Sequence, residues 1–130
     1  MDSQPATAPP QTPPSDQLDA AISLHVVESG QVLPLTERTE FTLGRLVEGQ
    51  PIIPDVDLSP YNAYSNGVSR IHAVIKIAEG RTIIMDLGSS NGTFLNGIRL
   101  NPNMETPLAH GDVIILGKLK IRVLLGQPKG

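Results

Sequence analysis

The sequence predicts an all-β fold, a β-sandwich of many short strands, and three observations carry that expectation. Apolar residues recur at every second position in short runs, as in Ile22, Leu24 and Val26, and again in Leu119, Ile121 and Val123. A period of two places one face of a strand inward and the other outward. Gly, Asn, Asp and Ser punctuate the chain at short intervals, and no window of about eleven residues shows a helical repeat. Short strands at regular spacing are the pattern of a sandwich or a barrel, of which we take the sandwich.

In chain order, Ala21 to Val27 is the first strand, and Ser29-Gly30 turns the chain into Gln31 to Leu35. Glu40 to Leu43 follows and stops at Gly44-Arg45. His72 to Ile77 and Arg81 to Asp86 are joined by Glu79-Gly80, and Thr93 to Leu95 and Ile98 to Leu100 flank Asn96-Gly97. The last strand alternates Leu119, Ile121 and Val123 with Lys118, Lys120 and Arg122. Those three cations read as the solvated face of a strand, with a ligand patch as the alternative. Asn66-Gly67, Gly111-Asp112 and Gly117 punctuate the remainder.

At 130 residues the chain has the size of one domain. Hydrophobic residues make up 39% of it, enough for a core, but aromatics only 3%, so the core is aliphatic. A net charge of −3 argues against a nucleic-acid partner, which calls for a basic face studded with aromatics. The absence of cysteine excludes disulfides, thiolate nucleophiles and Cys-based metal sites. No basic residue precedes an apolar stretch at the N-terminus, and no apolar run approaches the ~20 residues that span a bilayer. The expectation is a soluble, cytoplasmic protein with no membrane partner and no cofactor. Residues 1–17, with Pro5, Pro9, Pro10, Pro13 and Pro14, read as a disordered tail or linker. The folded domain is expected over 18–126, with 127–130 a short C-terminal tail.

The stretch DLGSSNGTFLNG, Asp86 to Gly97, holds two Asn-Gly pairs separated by only Thr93, Phe94 and Leu95. Asn-Gly is a strong signal for a two-residue hairpin turn. Three residues are too few for a hairpin at each pair. Asn96-Gly97 is the hairpin turn, which leaves Asn91-Gly92 in a loop behind Ser89 and Ser90. By itself that loop reads either as a recognition element at the end of a sheet or as a tight turn satisfying its own backbone.

Two other stretches set polar residues abruptly at strand ends: Gly44-Arg45 and Val68-Ser69-Arg70-Ile71-His72-Ala73. Together with Asp86 to Gly97 they strongly resemble the forkhead-associated (FHA) domain. The resemblance continues into Leu108-x-x-Gly111-Asp112-x-Ile114-x-Leu116-Gly117 and covers roughly Ala21 to Leu125. It implies an antiparallel β-sandwich of about eleven short strands with recognition loops at one end, binding phosphothreonine peptides. Phosphothreonine carries about −1.5 to −2 charge and three strong acceptor oxygens. Arg45 supplies a fork-shaped cation, Ser69 and Ser90 hydroxyl donors, and Arg70 a second cation. By the resemblance Asn91 pairs with the peptide main chain and His72 braces the loop that presents Ser69. Gly44, Gly92, Asn96 and Gly97 support the site through the backbone.

The same residues admit other readings. Ser69, His72 and Asp86 could be imagined as a hydrolytic triad, but no nucleophile elbow, oxyanion hole or pocket is visible. His25 and His110 read as surface or turn residues, and Asp55, Asp57 and Asp86 lack calcium-loop spacing. The segment Leu46 to Val68 is longer than the FHA pattern. Asp55 to Leu58 matches its short strand, so the excess, with Tyr61 and Tyr64, lies just before Ser69. Those tyrosines either staple the loop to the body or line the groove beside the phosphothreonine. Thr12, followed by Pro13, and Thr7 offer tail sites whose phosphorylation would permit self-docking, an unmodified spacer being the plainer reading. The alternative to phosphothreonine docking is a scaffold or self-association domain that uses the fold without phosphate.

Overall fold

The computed structural model describes residues 22–126. The expected tails at 1–17 and 127–130, with Thr7 and Thr12, lie outside the described residues. Eleven strands follow in order: β1 (Ile22–Val26), β2 (Val32–Leu35), β3 (Glu40–Gly44), β4 (Val56–Asp57), β5 (Ile71–Ala78), β6 (Arg81–Asp86), β7 (Thr93–Leu95), β8 (Ile98–Arg99), β9 (Thr106–Pro107), β10 (Val113–Leu116) and β11 (Leu119–Leu125). One turn of 3-10 helix, Ser59–Tyr61, interrupts them.

The strands form two sheets, ordered β2-β1-β11-β10-β7-β8 and β4-β3-β5-β6-β9. Both inner faces are the alternating residues seen in the sequence. Leu24 and Val26 of β1 and Ile121 and Val123 of β11 are fully buried, as are Leu43 of β3 and Ile75 of β5 in the facing sheet. Each such side chain contributes about 1.5–3 kcal/mol by leaving water, and the largely aliphatic core is joined by the buried ring of Phe41.

The antiparallel β-sandwich expected from the sequence is present, and its named strands pair antiparallel except at one edge. β3 and β4 are parallel, Leu43 beside Val56 and Gly44 beside Asp57. Residues 45–55 supply the crossover that a parallel pair requires. The strand expected over Asp55 to Leu58 shrinks to two residues, and β9 had no sequence signal at all. A two-residue edge strand is too short to show alternation.

Asn96 and Gly97 have φ of 50° and 89°, the left-handed pair of a type I′ hairpin turn. Cross-strand register shows which segments share an end of the sandwich. Gly44 lies opposite Ile71, Ala73 opposite Asp86, and Leu116 opposite Thr93. The chain segments leaving β3, entering β5, joining β6 to β7 and turning from β10 to β11 therefore converge there.

Candidate functional site

The convergence is tight because Gly44 has no side chain. A Cβ at that position would lie 1.8 Å from the carbonyl oxygen of Arg70. The register of β3 against β5 shifts between Leu43 and Gly44, and the Arg45 N–H donates to the Arg70 carbonyl at 3.1 Å. Arg45 is thereby fixed against the segment carrying Ser69.

Three contacts orient Arg45. Its backbone is held as above, its Nε donates to the Val68 carbonyl at 2.6 Å, and its guanidinium carbon sits 4.9 Å from the centre of the Tyr64 ring. The terminal nitrogens make no hydrogen bond among the described residues. A guanidinium gripped by one edge and one face keeps its fork available for two acceptor oxygens.

His72 is fully buried under the loop. Its Nδ1 accepts the Ser69 N–H at 3.0 Å, which places the ring proton on Nε2, 2.9 Å from the Gly92 carbonyl. One neutral imidazole thus joins the Ser69 loop to the Asn91-Gly92 loop. Burial lowers the His72 pKa, outweighing the Gly92 carbonyl and the Asp86 charge, which raise it.

Asp86 holds the second loop from below. Oδ1 accepts the hydroxyls of Ser89 and Thr93, both at 2.6 Å. Oδ2 accepts the N–H groups of Gly88 at 2.9 Å and Ser89 at 3.2 Å. Burial pushes the carboxyl pKa up, but these four bonds outweigh it and the net direction is down. The Ser89 oxygen also accepts the Gly92 N–H at 3.0 Å. Nothing in the sequence singled out Asp86 and Ser89 as this hub; the signal was an acidic residue followed, after Leu87, by Gly, Ser and Ser.

Above it the two loops touch. The Ser90 N–H donates to the Ser69 hydroxyl at 3.3 Å, and Asn91 donates its side-chain amide to the Gly67 carbonyl at 3.0 Å. A Cβ on Gly67 would meet the Asn91 amide nitrogen at 2.6 Å. On Gly92, with φ of 90°, it would meet Arg99 Nε at 2.8 Å. Both glycines are places of close approach.

The long loop before Ser69 is ordered by its own bonds, Asn66 N–H to the Asn62 carbonyl and Val68 N–H to the Ala63 carbonyl. Leu58, Ala63 and Val68 are buried. The two tyrosines divide the two roles open to them: Tyr61 packs against the core, whereas Tyr64 is 77% exposed and lies over Arg45.

The sequence profile of the FHA domain matches residues 41–117. The chain belongs to the FHA-domain family. Protein FraH of a Nostoc species is 48% identical over 67 residues, a match spanning 52% of this chain and 23% of FraH. The oxoglutarate dehydrogenase inhibitor of Corynebacterium glutamicum is 33% identical over 129 residues, 97% of this chain and 80% of the inhibitor. An FHA domain solved in a structural and functional study of phosphothreonine-dependent FHA domain interactions is 32% identical. It superposes with a TM-score of 0.64, covering 83% of this chain and 98% of that one.

In this FHA domain Arg45, Ser69 and Ser90 line one open depression of about 360 Å³ with Ile52, Arg70 and Gly88. The same three residues line a second, adjoining one with Tyr64, Ser65 and Asn91. Of the residues expected to bind phosphate, Arg45, Ser69 and Ser90 therefore share a wall. Arg70 stands at one side, its guanidinium donating to Gln50 Oε1 at 2.9 Å. Ile52, which lines the first depression, and Gln50, which accepts from Arg70, were not anticipated there, whereas Tyr64 was already a candidate for the groove. Asn96 and Gly97 are corrected: they do not support the site. They close the far end of β7, where Asn96 bonds the Asp112 carboxylate and the Val113 N–H.

The Ser69, His72 and Asp86 set is not wired as a triad. His72 takes the backbone N–H of Ser69, not its hydroxyl, and the four bonds to Asp86 come from Gly88, Ser89 and Thr93. Asp55 is occupied by Arg38 and Thr42, and Asp57 by Leu46 and Ser59. His25 is half-buried on β1, and His110 is an exposed residue accepting the Leu125 N–H.

Proposed function

We propose that this FHA domain is a phosphothreonine-peptide-binding module that docks phosphorylated partner proteins. The observation that carries the reading is Arg45: a cation fixed by Val68 and Tyr64, its terminal nitrogens without a hydrogen bond among the described residues, beside the hydroxyls of Ser69 and Ser90. A dianionic phosphate needs that combination of one bidentate cation and neutral donors on a rigid frame. Arg45 grips two phosphate oxygens, Ser69 and Ser90 donate to the third, and Arg70 adds longer-range attraction from the side. Asn91 already spends its amide on Gly67, which leaves its carbonyl oxygen for a peptide N–H. The likeness to an FHA domain studied for phosphothreonine-dependent interactions supports the same reading. The proposal places this docking in the cytoplasm. Screening an oriented phosphothreonine peptide library, with phosphoserine and unphosphorylated counterparts, tests it. Selective retention of phosphothreonine peptides is expected, and equal retention of unphosphorylated ones refutes it in favour of phosphate-independent scaffolding.

A further inference from the structure

Among the described residues, the strands of the six-stranded sheet carry charge of one sense only. None of its strands, β1, β2, β7, β8, β10 and β11, contains an Asp or Glu, although the chain as a whole has 13 acidic residues against 10 Lys and Arg. Lys120 and Arg122 point outward from β11, between the buried Leu119, Ile121 and Val123. Lys118 is exposed on the turn before them. Across the face, Lys120 is registered with Ile115, Ile115 with Phe94, and Phe94 with Arg99. Arg122 is registered with His25. Among the described residues the one ion pair, Arg38 with Asp55, lies elsewhere. Like charges set side by side on a sheet disfavour the fold, and an anionic occupant relieves them.

We propose that this face docks an acidic segment of a partner polypeptide in extended conformation. Lys120 and Arg122 alternate along β11 about 7 Å apart, the spacing of carboxylates on alternate residues of an extended peptide, and Lys118 stands on the turn just before them. β11 is paired on both sides, by β1 and β10, so the segment lies across the face and is read through side chains, not by strand addition. The row also runs out of the recognition end. The Lys118 N–H donates to the Asn66 carbonyl at 2.8 Å, within the loop that carries Tyr64, and Arg99 packs against Gly92. A partner held at Arg45 therefore has a continuous path onto the cations. The apolar side chains among them, Phe94, Val113 and Ile115, are half-buried, and Val32, registered with His25, is the exposed one, too little apolar surface to anchor on a bilayer, while a nucleic acid finds no exposed ring to stack on.

The test needs no phosphate, so it stands apart from the fate of the phosphothreonine reading. The isotopically labelled full chain is titrated with an unphosphorylated peptide of alternating glutamate and serine, followed by amide chemical shifts. The expected shifts cluster at Lys118 to Arg122 and Arg99 and spare Arg45 and Ser69. The double variant Lys120→Gln, Arg122→Gln, altered only at exposed positions, should bind about fivefold more weakly, the scale of two exposed ion pairs. Raising the salt to 0.5 M should also weaken native binding. The proposal is overturned by an absence of shifts, by shifts confined to the recognition loops, or by native affinity in the double variant. It is equally overturned if phosphatidylserine vesicles or a single-stranded oligonucleotide bind through these cations while the peptide does not.

Discussion

The backbone N–H of Ser69 rests on Nδ1 of His72 at 3.0 Å, so a residue lining the open depression and the residue buried beneath it share one hydrogen bond. His72 passes the constraint on through Nε2 to the Gly92 carbonyl. Two loops from different strand pairs are thus set relative to each other by a single neutral ring.

Replacing His72 with Ala should damage fold and binding together. The change empties a buried volume and strands the Ser69 N–H and the Gly92 carbonyl, at a cost of about 2–4 kcal/mol. Thermal denaturation should show a fall in Tm of roughly 10 °C or more, with weaker phosphopeptide binding in titration calorimetry. Unchanged stability alongside complete loss of binding would instead make His72 a direct ligand contact.

The same ring sets a pH dependence. Burial lowers the folded pKa of His72 from its ordinary 6.5, so the unfolded chain takes up a proton there first. Its contribution to stability is complete above pH 6.5 and is lost as pH falls from that value toward the folded pKa. Asp86, lowered from its ordinary 3.8 by the bonds that outweigh its burial, adds a separate loss below pH 3.8. Denaturant unfolding between pH 7.5 and 5 should show native stability declining toward that of His72→Gln. Parallel curves for the two proteins would assign the decline to other groups.

Tyr64 offers a cleaner probe of ligand contact because the fold does not depend on it. The ring is 77% exposed and its contact with Arg45 is of cation–π type, worth about 0.5–1 kcal/mol at an exposed site. Tyr64→Ala should weaken phosphopeptide binding about two- to fivefold, and Tyr64→Phe should restore it, both with native Tm. Equal loss in the two variants would point to the hydroxyl rather than the ring.

Gly44 should tolerate nothing larger. The Cβ of Gly44→Ala collides with the Arg70 carbonyl oxygen, and both atoms belong to rigid strand ends, so β3 or the Ser69 loop must move. A stability loss of about 2–3 kcal/mol is expected, read by chemical denaturation, together with loss of binding because Arg45 moves with it. A native midpoint would show that the crossing is looser than the geometry states.

What was legible in the sequence followed physical regularity. The period of two exposed β1 and β11, and Asn96-Gly97 marked its hairpin because only residues tolerant of positive φ suit both turn positions. Arg45 and Ser69 could be found because each stands beside the end of a readable strand, and Asn91 because its Asn-Gly pair was left over once Asn96-Gly97 took the hairpin. Asp86 could be found only as an oddity, since its role depends on four donors that the loop folds back to supply. Tyr64 was ambiguous because exposure and burial of a loop tyrosine are decided by its neighbours in space. β4 and β9 were illegible, each being two residues long and set by pairing alone.

Arg45 carries the central claim, and one calorimetric experiment addresses it. A phosphothreonine peptide selected from the library is titrated into the native chain and into Arg45→Ala, with the unphosphorylated peptide as control and circular dichroism to confirm folding. Removing one member of a desolvated charge pair costs about 2–5 kcal/mol, against about 1 kcal/mol for a hydroxyl hydrogen bond such as that of Ser69. The expected result is binding by the native chain to the phosphorylated peptide alone, with binding by folded Arg45→Ala reduced below detection. Native affinity in Arg45→Ala would contradict the assignment of this site.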